Sequence, residues 1–81
     1  MVNVVLWGAL KSAARGASAV DIEARDIRDL FAKLEAEYPG LKPHIERGIA
    51  VSINGTIYRD TWSQAIPPDT EIYLLPRIAG G

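Results

Sequence analysis

The alternation of apolar and polar residues changes period along the chain, and each change predicts a new element. Residues 2–7 form an apolar, β-branched run that is closed by Gly8, which predicts a first strand. Apolar residues occupy both its odd-numbered and its even-numbered positions. We therefore expect this strand to lie inside a sheet and to be covered, or nearly covered, on both faces. Residues 8–16 should form a long connection with room for one helical turn. Residues 17–24 alternate, which predicts a half-exposed strand that completes a hairpin with the first.

Residues 26–38 follow the period of an amphipathic helix instead. Asp26 is the predicted N-cap, and Pro39-Gly40 should end the helix. A single apolar stripe runs along this segment at helical spacing: Ile27, Leu30, Phe31, Leu34 and Tyr38. After this helix, a polar connection without a regular element is expected over residues 41–48.

The next segment predicts a second hairpin. The odd-numbered residues of 49–53 are apolar and should point inward. Asn54-Gly55 then predicts a tight turn, because both residues tolerate positive φ. A short return strand is therefore expected over residues 56–58.

The last strand is predicted at residues 71–75, after an irregular stretch in which Trp62 and Ile66 are the expected core anchors. Its apolar residues again occupy both odd-numbered and even-numbered positions. The residues on one face should therefore belong to the core and those on the other face to an interface. The sequence does not decide which. One helical stripe can cover one face of a mixed sheet, so the chain predicts a two-layer α+β domain.

Composition narrows the possible functions. The 81 residues suffice for one small domain, and nine basic against ten acidic residues leave no basic excess for binding nucleic acid. The absence of cysteine excludes disulfides, thiolate metal sites and a cysteine nucleophile, and it fits a reducing cytoplasm. His44 is the only histidine, and no serine is paired with a base in a recognisable motif. We expect neither a secretion signal nor a membrane span, and no catalysis by this chain alone.

The end of the sequence offers one chemically distinctive group. An apolar strand runs through Pro76 to Gly80-Gly81, and we expect the Gly81 α-carboxylate to be accessible because no Cβ crowds it. With a pKa of about 3.5, this carboxylate is ionised at neutral pH and can attack the α-phosphate of ATP. Residues 76–81 can reach at most about 20 Å beyond the last strand, which is enough to enter another protein's active site.

The element order, the hairpin turn and the tail together resemble the MoaD/ThiS family of ubiquitin-like sulfur carriers, with the small subunit of molybdopterin synthase as the most similar branch. The family's tail reads as a strand, a proline, an apolar residue, a small residue and two glycines. Arg77 stands where the molybdopterin subunit often has a second proline, and Asp69-Thr70 replaces a common Gly-Asp pair. The tail positions that match the family pattern are Pro76, Ile78, Ala79, Gly80 and Gly81.

The resemblance implies a two-layer β-grasp domain over residues 1–75, with a mixed sheet and one main helix, and a flexible Gly-Gly tail over residues 76–81. It implies that an E1-like enzyme uses ATP to adenylate Gly81 and that a sulfur donor converts the adenylate to a thiocarboxylate. A sulfur-acceptor enzyme, such as the large subunit of molybdopterin synthase, then receives the sulfur. No cofactor bound by the carrier, no nucleic acid and no membrane is implied. Besides Gly81, the resemblance assigns the following residues to the tail and the partner-binding surface: Gly80, Ala79, Ile78, Arg77, Pro76, Leu75 and Tyr73.

Three alternatives remain open at this point. The chain could carry sulfur for thiamine or another biosynthetic pathway. It could be a protein modifier that forms isopeptide bonds between Gly81 and lysines. It could also be a ubiquitin-like interaction module with an incidental tail, in which case deletion of Gly81 would leave its function intact.

Overall fold

Five strands and three α-helices make up the described part of the chain, residues 1–59 and 61–76 of a computed structural model. In chain order the elements are β1 (Val2–Val5), α1 (Ala9–Ala13), β2 (Ala19–Ile22), α2 (Ile27–Glu37), α3 (Lys42–Arg47), β3 (Ile49–Ile53), β4 (Thr56–Tyr58) and β5 (Glu71–Pro76), with a 3₁₀ turn at Pro39–Leu41. All the predicted strands and the predicted main helix are present.

The strands form one mixed sheet in the order β2-β1-β5-β3-β4. β1 with β2, and β3 with β4, form antiparallel hairpins, whereas β5 runs parallel to β1 and antiparallel to β3. Both predicted hairpins are confirmed, and the turn of the second one has positive φ at Asn54 (50°) and Gly55 (84°). β5, the last of the described strands, occupies the centre of the sheet and joins the two hairpins.

The helices cover one face of the sheet, and α2 supplies most of that layer. The Asp26 side chain caps α2 by accepting a hydrogen bond from the Asp29 N–H at 2.7 Å. Lys33 lies 3.4 Å from the Asp29 carboxylate, one turn apart on the exposed side. The stripe that packs against the sheet is fully buried: Ile27, Leu30, Phe31 and Leu34. The predicted two-layer α+β architecture is therefore confirmed.

The expectation of an irregular connection over residues 41–48 is wrong, because α3 forms there. Pro43 lies in the first turn of α3, where a missing backbone N–H breaks no helical hydrogen bond. Ile45 anchors the helix to the core with 3% exposure. Gly48 ends it with a φ of 110°, a conformation that favours glycine. A short helix with a single buried residue of its own gives too little periodicity to be recognised in the sequence.

Two burial predictions also need correction. Ile66 is buried as expected, but Trp62 is 38% exposed and contacts only the edge of the core, with its ring 5.2 Å from that of Phe31. β1 lies inside the sheet, yet its second face is not covered by any described element: Val5 is only half-buried, and Trp7 beyond it is 54% exposed. The odd-numbered apolar residues of this segment therefore belong to an open sheet face, because the helices lie on the other side.

Candidate functional site

The predicted tail follows the central strand of the sheet. β5 is paired with β1 up to Tyr73 and with β3 up to Pro76. Of the predicted site residues, the structure describes Tyr73, Leu75 and the backbone of Pro76. The other predicted site residues lie outside the described residues: Arg77, Ile78, Ala79, Gly80 and Gly81. The segment after Pro76 thus starts from a strand that has neighbours on both sides over most of its length.

The two faces of β5 have different environments. Ile72 and Leu74 are 0% exposed, whereas Tyr73 is 42% exposed and Leu75 is half-buried. Side chains alternate between the faces of a strand, so the even-numbered residues belong to the core and the odd-numbered residues to the open side. The structure therefore assigns Tyr73 and Leu75 to the outer face, defined as the sheet face opposite the helices.

An apolar band crosses the outer face at Tyr73. The registers of the four strand pairs align one residue from each strand in what we name the central row: Ala19, Val5, Tyr73, Ser52 and Ile57. Ile57, at the end of this row, is 51% exposed. The next row toward Pro76 pairs Leu75 with Ala50. Apart from Ser52, these two rows carry apolar or aromatic residues, and exposed apolar side chains grouped in this way mark protein–protein contact sites.

A polar row borders the central row on the side away from Pro76, where Asn3 pairs with both Asp21 and Glu71. Asn3 donates a hydrogen bond to Asp21 at 3.1 Å, and the Tyr73 hydroxyl donates to the Glu71 carboxylate at 2.7 Å. This hydrogen bond, together with the negative charge of Glu71, raises the pKa of the Tyr73 phenol. The outer face is therefore acidic at one end and apolar at the end where β5 finishes.

The backbone of β5 explains why a proline is accepted at its end. The N–H and C=O groups of every second residue in a strand point to the same neighbour. The Thr70 carbonyl accepts from the Asn3 N–H at 3.0 Å, so the even-numbered residues of this segment point to β1. The β1 register ends at Val5, opposite Tyr73. The backbone nitrogen of Pro76 therefore faces the side on which β1 no longer runs beside β5. Its missing N–H breaks no hydrogen bond of the sheet there.

The described residues assemble no other evident chemical site. Over residues 1–59 and 61–76, no group of three His, Asp or Glu side chains could hold a metal ion. His44 lies half-buried on α3. None of the described helices has the length and the apolar run that a membrane crossing requires. The outer face and the end of β5 are thus the candidate functional site.

Sequence reasoning missed the contribution of Val5, Trp7 and Ile57 to this site. All three are apolar and at least partly exposed, and Trp7 also donates a hydrogen bond from its indole N–H to the Leu74 carbonyl at 3.1 Å. The sequence did contain a signal for Val5 and Trp7. Val5 and Trp7 both lie at odd-numbered positions and so point to the same face of the sheet. Because a chain with one main helix covers only one face of its sheet, the other face stays open.

The architecture is similar to that of solved ubiquitin-like proteins. The chain matches a chain of the Amycolatopsis orientalis BexX/CysO complex with a TM-score of 0.81 and 19% identity over 100% of both chains. It matches Mycobacterium tuberculosis CysO, an antigen, with a TM-score of 0.82 and 18% identity over 96% of this chain and 100% of that one. For the small archaeal modifier protein 1 of Methanosarcina acetivorans, the TM-score is 0.78 and the identity 26%, over 99% of this chain and 95% of that one. These likenesses confirm the β-grasp, ubiquitin-like fold.

The sequence supports the same assignment at the level of the family. No curated protein matches the chain. The ThiS family, however, matches it over residues 4–81, which is nearly its whole length. The resemblance seen in the element order, the Asn54-Gly55 turn and the tail is confirmed to that extent. This chain belongs to the ThiS family of ubiquitin-like sulfur carriers.

Proposed function

We propose that this protein carries sulfur as a thiocarboxylate at Gly81 and delivers it in the synthesis of molybdopterin, as the small subunit of molybdopterin synthase. The observation that carries the proposal is the position of β5, a central strand that ends beside an open apolar face. Membership of the ThiS family supports the class of chemistry. The length of 81 residues supports the pathway, because carriers of the thiamine branch are shorter.

The proposed cycle follows from the chemistry of a carboxylate. An oxygen of the Gly81 carboxylate attacks the α-phosphate of ATP on an E1-like enzyme, which forms an acyl-adenylate and releases pyrophosphate. A sulfur nucleophile then attacks the acyl carbon and AMP leaves, so that sulfur replaces one oxygen. Adenylation is needed because a carboxylate oxygen is a poor leaving group until it is bonded to phosphate. The thiocarboxylate sulfur then attacks the acceptor, and hydrolysis of the resulting acyl–sulfur bond leaves the sulfur on the acceptor and restores the Gly81 carboxylate. ATP is used by the activating partner, without a cofactor on the carrier.

The outer face is the proposed docking surface for the activating enzyme and for the acceptor enzyme. Tyr73 and Leu75 lie on this face, and Pro76 follows them directly in the chain. A partner that covers the central row is therefore placed where the tail begins. The lack of cysteine fits a reducing cytoplasm, where we propose that the cycle takes place.

Intact-mass analysis of the protein purified with its partners tests the carrier function. We expect a fraction of the chains to show the mass of one oxygen exchanged for sulfur, with the change located at Gly81 by fragmentation. The co-purified activating enzyme should catalyse ATP–pyrophosphate exchange with the full chain and not with a chain that lacks Gly81. Glu46→Ala, on α3, is the control and should behave as the unaltered protein. An unmodified mass, together with no exchange above that of the Gly81 deletion, would contradict the proposal.

The pathway is tested by the identity of the acceptor. An acceptor enzyme that co-purifies and converts a molybdopterin precursor with this carrier would support the proposed pathway. A thiamine-forming enzyme in the same position would keep the carrier function and overturn the pathway. Arg77, which replaces a proline common in the molybdopterin branch, makes this second outcome worth testing directly.

A second candidate function is modification of other proteins. It is favoured by the likeness to the small archaeal modifier protein 1, with 26% identity over 99% of this chain. In that case Gly81 would be joined to a lysine amine by an isopeptide bond after adenylation. Peptide mass spectrometry of cell extracts would detect lysines that carry the C-terminal residues of this chain. Such conjugates in the absence of any thiocarboxylate would favour the modifier over the carrier.

A further inference from the structure

β5 continues beyond the point where β1 leaves the sheet. The register between β1 and β5 ends with Val5 opposite Tyr73, whereas β3 accompanies β5 as far as Pro76. After Val5 the chain makes one more hydrogen bond to its other neighbour, from the Leu6 N–H to the Ser18 carbonyl at 2.8 Å. The last residues of β5 therefore have a backbone ladder on the β3 side alone.

The Leu74 carbonyl lies at this position. It points to the side of β1, because the even-numbered residues do so, and Leu74 is 0% exposed. The Trp7 indole N–H donates to this carbonyl at 3.1 Å. The chain turns away from β5 at this point, because the Trp7 carbonyl accepts from the Leu10 N–H and Gly8, with a φ of 62°, leads into α1. Since buried carbonyls are nearly always paired, the indole takes the place of the next ladder hydrogen bond.

We propose that Trp7 is a positioning residue, which holds Leu74, Leu75 and Pro76 in the sheet and so keeps the end of β5 in one conformation. The inference rests on the proposed function, because the order of this strand end matters only when a partner binds the end of the chain. Without the indole, Leu75 and Pro76 would be held by β3 alone and would fray more readily. Each frayed residue would have to be ordered again when the partner binds the chain end.

The exposure of Trp7 indicates that its N–H is what matters. With 54% of the residue exposed, Trp7 contributes little to the core, and phenylalanine would supply a similar apolar surface. Phenylalanine has no N–H, so Trp7→Phe removes the hydrogen bond and keeps an aromatic ring. The other tryptophan, Trp62, makes its ring contact with Phe31, which makes Trp62→Phe the matched control.

Amide hydrogen exchange in the free protein tests the structural part of the inference. In Trp7→Phe, we expect the Leu75 amide to exchange about fivefold to tenfold faster, because one hydrogen bond is lost beside it. The Tyr73 amide, in the part of β5 that has both neighbours, should be unchanged, and Trp62→Phe should alter neither rate. Equal rates at Leu75 in Trp7→Phe and the unaltered protein, or equal acceleration at Leu75 and Tyr73, would overturn the inference. Benzothienylalanine at position 7 keeps the bicyclic shape without the N–H and should behave as Trp7→Phe does.

Adenylation kinetics test the functional part. With the activating enzyme, we expect Trp7→Phe to lower kcat about threefold to tenfold while KM stays within about twofold, because the docking surface is kept and the end of β5 is less ordered. A kcat equal to that of Trp62→Phe would overturn the positioning role. Absence of adenylation with the unaltered protein would instead contradict the proposed function, and the exchange rates would still decide whether Trp7 holds the strand end.

Discussion

Single hydrogen bonds from side chains set the character of the outer face. The Tyr73 hydroxyl is bonded to Glu71 in the polar row, while its ring lies in the central row. The polar atom of an otherwise apolar residue is thereby directed away from the place where the tail begins. A partner that covers Tyr73 meets the ring without having to remove an unpaired hydroxyl from water, which would oppose binding.

The titration of Tyr73 should depend on Glu71. Glu71→Ala removes the acceptor and its charge, so the pKa of Tyr73 should fall toward its ordinary value of 10.0. Because the folded-state pKa is the raised one, the interaction stabilises the fold below about pH 10 and is lost as the pH rises through the folded-state pKa. Ring-carbon chemical shifts of Tyr73 across the alkaline range measure the change. Glu46→Ala should leave the titration of Tyr73 unaltered, and an equal effect of the two substitutions would refute the assignment to Glu71.

Substitutions at two neighbouring residues of β5 should affect different properties, one the stability of the fold and the other the binding of a partner. Leu74→Ala removes a fully buried side chain and should lower the free energy of unfolding by about 2–5 kcal/mol. Tyr73→Ala, on the open side, should change stability much less and should weaken binding of the activating enzyme. Urea denaturation and titration calorimetry measure the two quantities. A Tyr73→Ala protein as unstable as Leu74→Ala would show that the outer face is packed in the free protein.

At the scale of elements, α2 and α3 show what a sequence pattern can predict. α2 has an apolar stripe of several turns and a capping aspartate, so its bounds and its buried residues follow from the sequence. α3 has one buried residue of its own, Ile45, and depends on the packing of its surroundings. Both faces of β5 carry large apolar side chains in the sequence, and the position of the helix layer decides that Leu74 is buried and Tyr73 is not. The indole of Trp7 bonds a strand that lies far away in sequence, so no local pattern could reveal that contact.

The cap of α2 gives a prediction at this scale. Asp26→Ala removes the acceptor for the Asp29 N–H and should destabilise the protein by about 1 kcal/mol. For a domain of this size, that corresponds to a fall in Tm of roughly 4–8 °C. Asp26→Asn keeps an acceptor oxygen and should lower the stability and the Tm much less. Calorimetry of both variants measures the difference, and equal Tm values for the alanine and asparagine variants would contradict the capping role.

The whole molecule depends on its last strand. β1–β2 and β3–β4 are local hairpins, and β5 lies between them in the sheet. Each hairpin alone leaves its inner edge unpaired and most of its apolar face uncovered. The core therefore becomes continuous only when β5 has entered the sheet and Ile72 and Leu74 have been buried.

Truncation tests this dependence. A chain that ends at Thr70 lacks β5 and should have no cooperative thermal transition by circular dichroism, because the two hairpins are no longer joined. A chain that ends at Pro76 keeps β5, and we expect its Tm to stay close to that of the full chain. Cooperative unfolding of the shorter chain would show that the hairpins can pair without β5.

The central place of β5 also has a consequence during protein synthesis. The ribosome releases the two hairpins first, and the strand that unites them emerges after both. A nascent or prematurely terminated chain therefore has neither a finished sheet nor the segment that follows Pro76. Under the proposed function, the outer face and the Gly81 carboxylate would become available together, so that incomplete copies of this protein would compete poorly for a partner.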